Sequence, residues 1–262
     1  MTSNNLNNFI NINTHPINDN NFIQFCKKSF LDNGVLTIPN FINDESIKNF
    51  CREADSNKDK AFFTKNTHNV FLTPNNNNFP EDHIYNFQIS SSKGCITTDQ
   101  IPKSSGLKII YNSLIFKNFI SKIVGEKKLY EYADPLSSIN IHYAKEGQEL
   151  GWHFDNSNFA VTLLLQKPNK GGIFEYVRDI RYLNNKEVNF DGIEKIIHGK
   201  IKPSVLDIQP GTLVLFRGKN SMHKVTPTIG NKTRYLVVFA YNSKPGISLS
   251  KSAQKTFFGR EA

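Results

Sequence analysis

From residue 129 onward the chain is cut into nine short runs rich in β-branched and aromatic residues. They read "LYEYA", "SSINIHYAK", "GWHFD", "FAVTLLLQ", "GGIFEYV", "PSVLDI", "GTLVLFRG", "MHKVTP" and "TRYLVVFAYN", with Gly, Pro and Asn between them. Runs this short, bounded by turn residues, form antiparallel strands rather than helices. Upstream the apolar spacing is helical. Phe22, Phe25, Cys26 and Phe30 share one face of 21–31 before the stop signal Asp32-Asn33-Gly34, and "GVLTIPNFI" follows as a strand. Asn43 stands as an N-cap ahead of Asp44 and Glu45, opening a helix to about Asp55. Residues 105–124 read as a single helix closed by Gly125. The stretch 58–105, with "NVFLT" and "IYNFQIS" as strand-like pieces, is expected to be mainly long loops. Helices followed by many short strands predict a mostly β fold with flanking helices around a double-stranded β-helix, a cupin-like jelly roll. The expected division is an Asn-rich, weakly ordered N-terminal arm over 1–20 and a single domain over 21–262.

A chain of 262 residues, 38% apolar with 21 Phe, can fill a sizeable core. Cys26, Cys51 and Cys95 are odd in number and lack the paired spacing of a zinc or redox motif, which points to a reducing, cytoplasmic setting. No apolar run approaches the roughly 18 residues of a membrane span, and the first residues lack a basic region followed by an apolar one, so neither membrane insertion nor secretion is expected. The formal charge of +9 is spread as single and paired lysines among asparagines. That distribution describes a solvated surface rather than a nucleic-acid stripe, which needs clustering on one face.

The chemistry concentrates in "ELGWHFDNS", where His153 and Asp155 precede the apolar run Phe159–Leu165. Burying an imidazole and a carboxylate costs several kcal/mol unless something pairs with them, and a cation would do so. In a strand, residues i and i+2 face one side, so His153 and Asp155 can present ligands together while Phe154 packs away from them. A third ligand candidate, His223, lies 68 residues beyond Asp155 and follows the apolar strand "GTLVLF". Two His and one carboxylate on one side of an octahedron leave positions open, the arrangement of non-haem Fe(II) oxygenases. Eleven residues after His223, Arg234 enters the apolar strand "TRYLVVFAY" and needs an anion there. A 2-oxo acid chelated to the metal would offer its distal carboxylate to that guanidinium, with Thr233 and Tyr143 as added hydroxyl donors. In isolation the three-residue HxD pattern recurs by chance, and Arg234 could pair with Glu175 or Asp207; the coincidence of all four residues with flanking strands raises the signal. His15, His68, His83, His142 and His198 are read as exposed or satisfied by backbone groups.

On these residues the sequence resembles the Fe(II)/2-oxoglutarate-dependent dioxygenase superfamily, whose pattern is HxD, a distant His and a downstream Arg on a double-stranded β-helix. "GWHFDNSNFAVTLLLQKPNKGGIFEYVRDIR", "PGTLVLFRGKNSMHKVTP", "TRYLVVFAYNSKPG" and a closing "FFGR" are similar to the branch of free-lysine radical halogenases and their amino-acid hydroxylase relatives. The resemblance spans roughly residues 30–262. It implies that His153, Asp155 and His223 hold Fe(II), that Arg234 binds the C5 carboxylate of 2-oxoglutarate, and that O2 is consumed with it. It also implies hydroxylation of an unactivated C–H bond in a free amino acid or similar small polar metabolite, with release of succinate and CO2. The halogenases of that branch have Gly, opening a chloride site, where this chain has Asp155; hydroxylation is therefore expected rather than halogenation. Their ligand position is followed by an acidic residue, whereas Asn156 stands here, a departure from the lysine-binding pattern.

Candidates for substrate contact are Asn156, Glu175, Tyr176, Arg178, Arg181, Arg217 and Asn242. The segment 183–203 interrupts the strands with a helix-like piece and is expected to serve as a lid or substrate platform. Three alternatives compete. An oxygenase acting on a peptide, protein or nucleic acid is one; the alkylated-base demethylases carry a second Arg where Ala240 stands here. A His2Asp zinc hydrolase would need a general base near the metal, and no HExxH spacing is present. A non-catalytic module that kept the fold would be marked by loss of a ligand, and none is lost.

Overall fold

In the computed structural model, which describes residues 6–184 and 186–262, two antiparallel sheets face one another. The strands are β1 (Val35–Ile38), β2 (Phe62–His68), β3 (Ile89–Ile96), β4 (Ile139–Ala144), β5 (Leu150–His153), β6 (Ala160–Gln166), β7 (Lys170–Gly171) and β8 (Phe174–Val177). They continue as β9 (Tyr182–Leu183), β10 (Glu187–Val188), β11 (Ser204–Leu206), β12 (Leu213–Phe216), β13 (Met222–Val225), β14 (Thr228–Ile229) and β15 (Arg234–Phe239). The larger sheet has the order β1-β12-β6-β15-β4-β3-β2, and the smaller one β11-β8-β13-β5. Strands distant in sequence are neighbours in both, as a jelly roll requires.

Strand alternation divides the larger sheet into two chemically distinct faces. Tyr143 and Ile141 of β4, Val237 and Phe239 of β15, and Leu163 and Leu165 of β6 turn outward and pack in one apolar cluster with the helices. Those helices are α1 (Asn20–Asn33), α2 (Asp44–Asn57), α3 (Gly106–Asn112) and α4 (Leu114–Val124); two more, α5 (Phe190–Ile197) and α6 (Lys251–Phe258), lie elsewhere. The opposite face looks into the jelly roll. There Val214 and Phe216 of β12 meet Phe174 and Tyr176 of β8 from the smaller sheet. Arg234 and His142 belong to this inner face by register, since β15 pairs with β4 through Arg234↔Ala144 and Leu236↔His142.

The expected local signals are present at α1 and α2. Gly34 ends α1 with φ 70°, and the Asn43 side chain caps α2 by accepting from the Ser46 amide at 2.8 Å. Three expectations need correction. Residues 105–124 form two helices, because Ser113 adopts extended backbone and caps α4, its hydroxyl accepting from the Phe116 amide. The stretch expected to be loops supplies β2 and β3, whose polar sequences "FFTKNTH" and "ISSSKGCI" border a cavity and so lack an apolar alternation. The described part of the N-terminal arm is packed rather than weakly ordered. Leu6, Ile10 and Ile17 are buried with the helices, Ile10 pairs with Ile42, and Asp19 caps α1 at the Phe22 amide. Single apolar residues scattered among asparagines gave no periodic signal, yet each fills a separate gap in the helical layer. None of the described helices is long and apolar enough to cross a membrane.

Candidate metal centre

His153 is the last residue of β5, and His223 lies directly opposite it in β13. Two residues on, the Asp155 amide donates to the Gly218 carbonyl at 3.0 Å, which turns its carboxylate back toward the same point. Between them Phe154 is fully buried and stacks near Phe71 with ring centroids 5.7 Å apart, as the i, i+2 spacing predicts. Asp155 Oδ1 lies 3.8 Å from His153 Nε2 and 3.5 Å from His223 Nε2. One ligand atom from each residue falls within 4.8 Å of the other two.

The backbone orients both imidazoles. His153 Nδ1 lies 2.7 Å from the Gly151 carbonyl and His223 Nδ1 lies 3.0 Å from the Ser221 carbonyl. A carbonyl accepts only, so each Nδ1 carries the hydrogen and each Nε2 presents its lone pair to the common point, the usual outer support of a metal-binding His. Burial, then the neighbouring His223, drive the His153 pKa down to about 3, so the ring is neutral and ready to coordinate. Burial alone would raise Asp155, but the two imidazoles and Lys93 more than offset it and keep the carboxylate ionised. Two neutral nitrogens and one carboxylate fit a divalent iron with positions left open. Gly218 makes room for this geometry. A Cβ there would lie 1.8 Å from Asp155 Oδ2.

Arg234 is 6% exposed on the inner face, and among the described residues it has no acidic partner. The two acids that could have neutralised it are engaged elsewhere: Asp207 with Lys167 at 2.5 Å and Glu175 with Lys224 at 3.1 Å. Burial lowers the guanidinium pKa to about 10. Gly172, at φ 62°, lets the backbone approach closely, since a Cβ there would come within 2.9 Å of Arg234 Cδ. A buried guanidinium without an internal counter-charge fits an anionic ligand such as the distal carboxylate of 2-oxoglutarate.

The two hydroxyl donors expected beside Arg234 are not brought to it. Tyr143 alternates to the helical face, where its hydroxyl donates to the Ala54 carbonyl at 2.8 Å. Thr233 is one residue from Arg234 and therefore of opposite orientation; its carbonyl accepts from Gln166 Nε2 at 2.9 Å.

The residues expected to contact substrate are mostly committed to structural partners. Asn156 is exposed, and Glu175 pairs with Lys224. Tyr176 sits opposite His223 in register with its ring near Phe174 and Phe216. Arg178 pairs with Asp179 at 2.8 Å and donates to the Asp32 carbonyl, while Arg217 donates to both oxygens of Asp179 at 2.9 Å. Arg181 lies over the rings of Phe71 and Phe154 and donates to the Lys219 carbonyl. Asn242 pairs through its backbone with Tyr130. The segment 183–203 contributes α5, whose Phe190 packs edge-on against Phe71 and Phe79 and so braces the 69–87 segment.

What His153 opens into is a cavity of about 440 Å³ whose wall comes from β2, β3, the 69–75 turn and α6. None of the seven expected substrate residues lines it. The residues that do include Asn66, His68, Gln88, Ser92 and Lys93. His68 is held by Nδ1 to the Asn69 carbonyl at 2.9 Å and by Nε2 to the Ser91 hydroxyl at 2.7 Å, so both ring nitrogens are satisfied. Lys93 borders both this cavity and a narrow one of about 20 Å³ shared with His142 and Arg234. Burial lowers the Lys93 pKa and, with Lys93 and Arg234 adding to the effect, that of His142. The available signal for Lys93 was a lysine inside an otherwise uncharged strand-length run, "ISSSKGCI".

A protein-family model described as Halogenase D matches residues 85–257. No curated protein matches the chain in sequence. Solved structures do share its fold. A 2OG-Fe(II) oxygenase family oxidoreductase from Burkholderia pseudomallei is 13% identical, with 86% of this chain and 93% of that one covered at a TM-score of 0.53. A prolyl hydroxylase from Trichoplax adhaerens, solved with a hypoxia inducible factor peptide, is 15% identical over 85% and 90% at 0.53. HygX from Streptomyces hygroscopicus, solved with nickel, 2-oxoglutarate and hygromycin B, is 14% identical over 85% and 88% at 0.55.

Proposed function

Because the chain belongs to the Halogenase D family, on the fold of the 2-oxoglutarate-Fe(II) oxygenases, we propose that it hydroxylates an unactivated C–H bond of a free amino acid or similar small polar metabolite. One observation carries this reading: two imidazole nitrogens and a carboxylate converge within 4.8 Å, on the same jelly-roll interior as a buried guanidinium that has no acidic partner among the described residues. When bound, iron(II), 2-oxoglutarate and O2 supply the oxidation, with release of succinate and CO2.

The protein's own contribution is holding and placing. His153, Asp155 and His223 would hold the iron, and their Nδ1–H bonds to backbone carbonyls fix the direction of the nitrogen lone pairs. Arg234 would anchor the distal carboxylate of 2-oxoglutarate, and its charge, with that of the metal, balances the three carboxylates of the loaded site. Asp155 occupies the corner that a halide would need, which favours hydroxylation over halogen transfer. The cavity of about 440 Å³ suits a small molecule, and Leu72, Leu150 and Phe257 in its wall limit the water reaching the C–H bond. A reducing, cytoplasmic setting belongs to the same reading, since an open ferrous site is kept reduced there.

The test is anaerobic titration of the protein with Fe(II) and 2-oxoglutarate, followed by a library of free amino acids. The expected results are a metal-to-ligand absorption band, its perturbation by one class of amino acid, and succinate formation stimulated by that class in air. Absence of the band at millimolar 2-oxoglutarate, or turnover with zinc in the absence of O2, refutes the reading.

A further inference from the structure

We propose that the cavity beside the triad binds its substrate by a carboxylate, on Lys93, and that the remainder of the substrate is neutral or acidic, so that a side chain bearing a second cation is rejected. This rests on the oxygenase reading above and names the substrate class of that site.

The argument begins with Lys93 itself. Its Nζ lies 3.2 Å from His142 Nε2 and 3.5 Å from Nδ1, and no carboxylate lies within ion-pair distance among the described residues. The carboxylate that acts on Lys93, Asp155, faces the two imidazoles and would spend its charge on the metal. A half-buried ammonium on the inner face of the sheet is stabilised by an anion. The described residues supply none. Arg234 has the same need on the same inner face, but the two cations open onto different spaces: Arg234 onto narrow clefts of about 20 Å³, Lys93 also onto the wide cavity that His153 borders. A dicarboxylate held at the metal and on Arg234 would use both of its ends, leaving the Lys93 ammonium to a second anion in the wide cavity.

The rest of the wall sets the class further. Among the described residues no Asp or Glu side chain lines the cavity. Apart from Lys93 and the imidazoles of His68 and His153, its polar side chains are amides and hydroxyls, including Asn66, Gln88 and Ser92, and its apolar ones include Leu72, Leu150 and Phe257. Amide and hydroxyl oxygens can accept from the α-ammonium of an amino acid. A further ammonium or guanidinium would enter a space that already holds Lys93 with no acid to receive it, and like charges in a site of low polarisability repel strongly. Specificity of this kind comes from the absent counter-charge as much as from the present one.

The experiment uses the full chain loaded anaerobically with Mn(II), which takes the same donor set without turning over, and 2-oxoglutarate. Calorimetric titration with the proteinogenic L-amino acids and L-ornithine is expected to yield the tightest binding from a neutral or acidic side chain, with L-lysine, L-ornithine and L-arginine at least tenfold weaker. Removing the carboxylate of the tightest binder, as 4-aminobutanamide does for L-glutamine, is expected to abolish binding. Lys93→Met is expected to weaken that binder at least tenfold while changing 2-oxoglutarate affinity less than twofold, and Lys93→Arg to restore part of the loss. Tightest binding by a cationic amino acid overturns the proposal, as does an unchanged affinity in Lys93→Met, a loss of 2-oxoglutarate instead of amino acid, or binding by none of the panel. The comparison of side chains is made on the unaltered protein and survives any misfolding of the variants. If the unaltered protein fails to take 2-oxoglutarate in the first titration, the oxygenase reading fails, and this inference falls with it.

Discussion

Replacing Arg234 by Met is expected to move stability and ligand binding in opposite directions. The guanidinium is 6% exposed and has no acidic partner among the described residues, and burial lowers its pKa from the ordinary 12.5 to about 10. That depression corresponds to about 3 kcal/mol of unfavourable charge burial at neutral pH. Methionine keeps most of the aliphatic stem and removes the charge, so the ligand-free variant should be stabilised by roughly 1–3 kcal/mol after some loss of packing. For a chain of this size that is a rise of roughly 2–10 °C in unfolding temperature. The same substitution removes a charge-assisted fork from 2-oxoglutarate, which costs about 2–5 kcal/mol, or at least about 30-fold in Kd. Scanning fluorimetry of both proteins, with Mn(II) and with or without 2-oxoglutarate, reads both effects. Ligand at about 100 times its Kd adds about 2.7 kcal/mol to the unaltered protein and little to the variant. A ligand-free variant that melts well below the unaltered protein, with 2-oxoglutarate affinity retained, would show Arg234 to be a structural residue and refute the reasoning.

Other perturbations test the site from different sides. Gly218→Ala leaves all ligands in place but puts a Cβ within 1.8 Å of Asp155 Oδ2, so iron affinity measured by competition with a chelator should fall about 10- to 100-fold. Asp155→Gly removes the carboxylate itself and is expected to abolish hydroxylation; unchanged turnover would mean that the metal lies elsewhere. Tyr143→Phe should leave the KM for 2-oxoglutarate unchanged, because the hydroxyl serves the Ala54 carbonyl, and should cost about 1–3 kcal/mol in denaturant unfolding. The metal-free protein should lose stability as pH falls below about 6.5. Burial holds the pKa of His153 at about 3 and that of His142 well below the ordinary imidazole value, so the unfolded chain binds more protons in that window. The number of protons taken up on unfolding should rise as pH falls from 7.5 to 5.

Much of the candidate metal centre was legible because its logic is local. His153 and Asp155 sit two apart at the end of a strand, and strand geometry alone places both on one side with Phe154 on the other. Arg234 was identifiable because a guanidinium entering an apolar strand demands an anion, and the folded chain leaves that demand unmet. The substrate candidates fared differently. Arg178 and Arg181 follow β8, the neighbour of β13, and Arg217 stands six residues before His223, yet their partners are Asp179, aromatic faces and backbone carbonyls. Proximity along the chain did not translate into proximity to the cavity.

Tyr143 marks the boundary between the two kinds of information. Sequence fixes that Tyr143 and His142 face opposite sides of β4, but which side is the jelly-roll interior depends on the register with β15. The cavity wall shows the same dependence, since β2 and β3 join the sheet through β4 and bring Lys93 and Asn66 beside His153 across some 60 residues or more of chain. The sequence by itself determined the strand-rich half, the spacing of the ligands and the presence of a charged group that needed a partner. Only the tertiary structure decided which polar residues line the cavity beside the triad and which glycine admits Asp155, because those follow from pairings between distant strands, whose energies no local periodicity encodes.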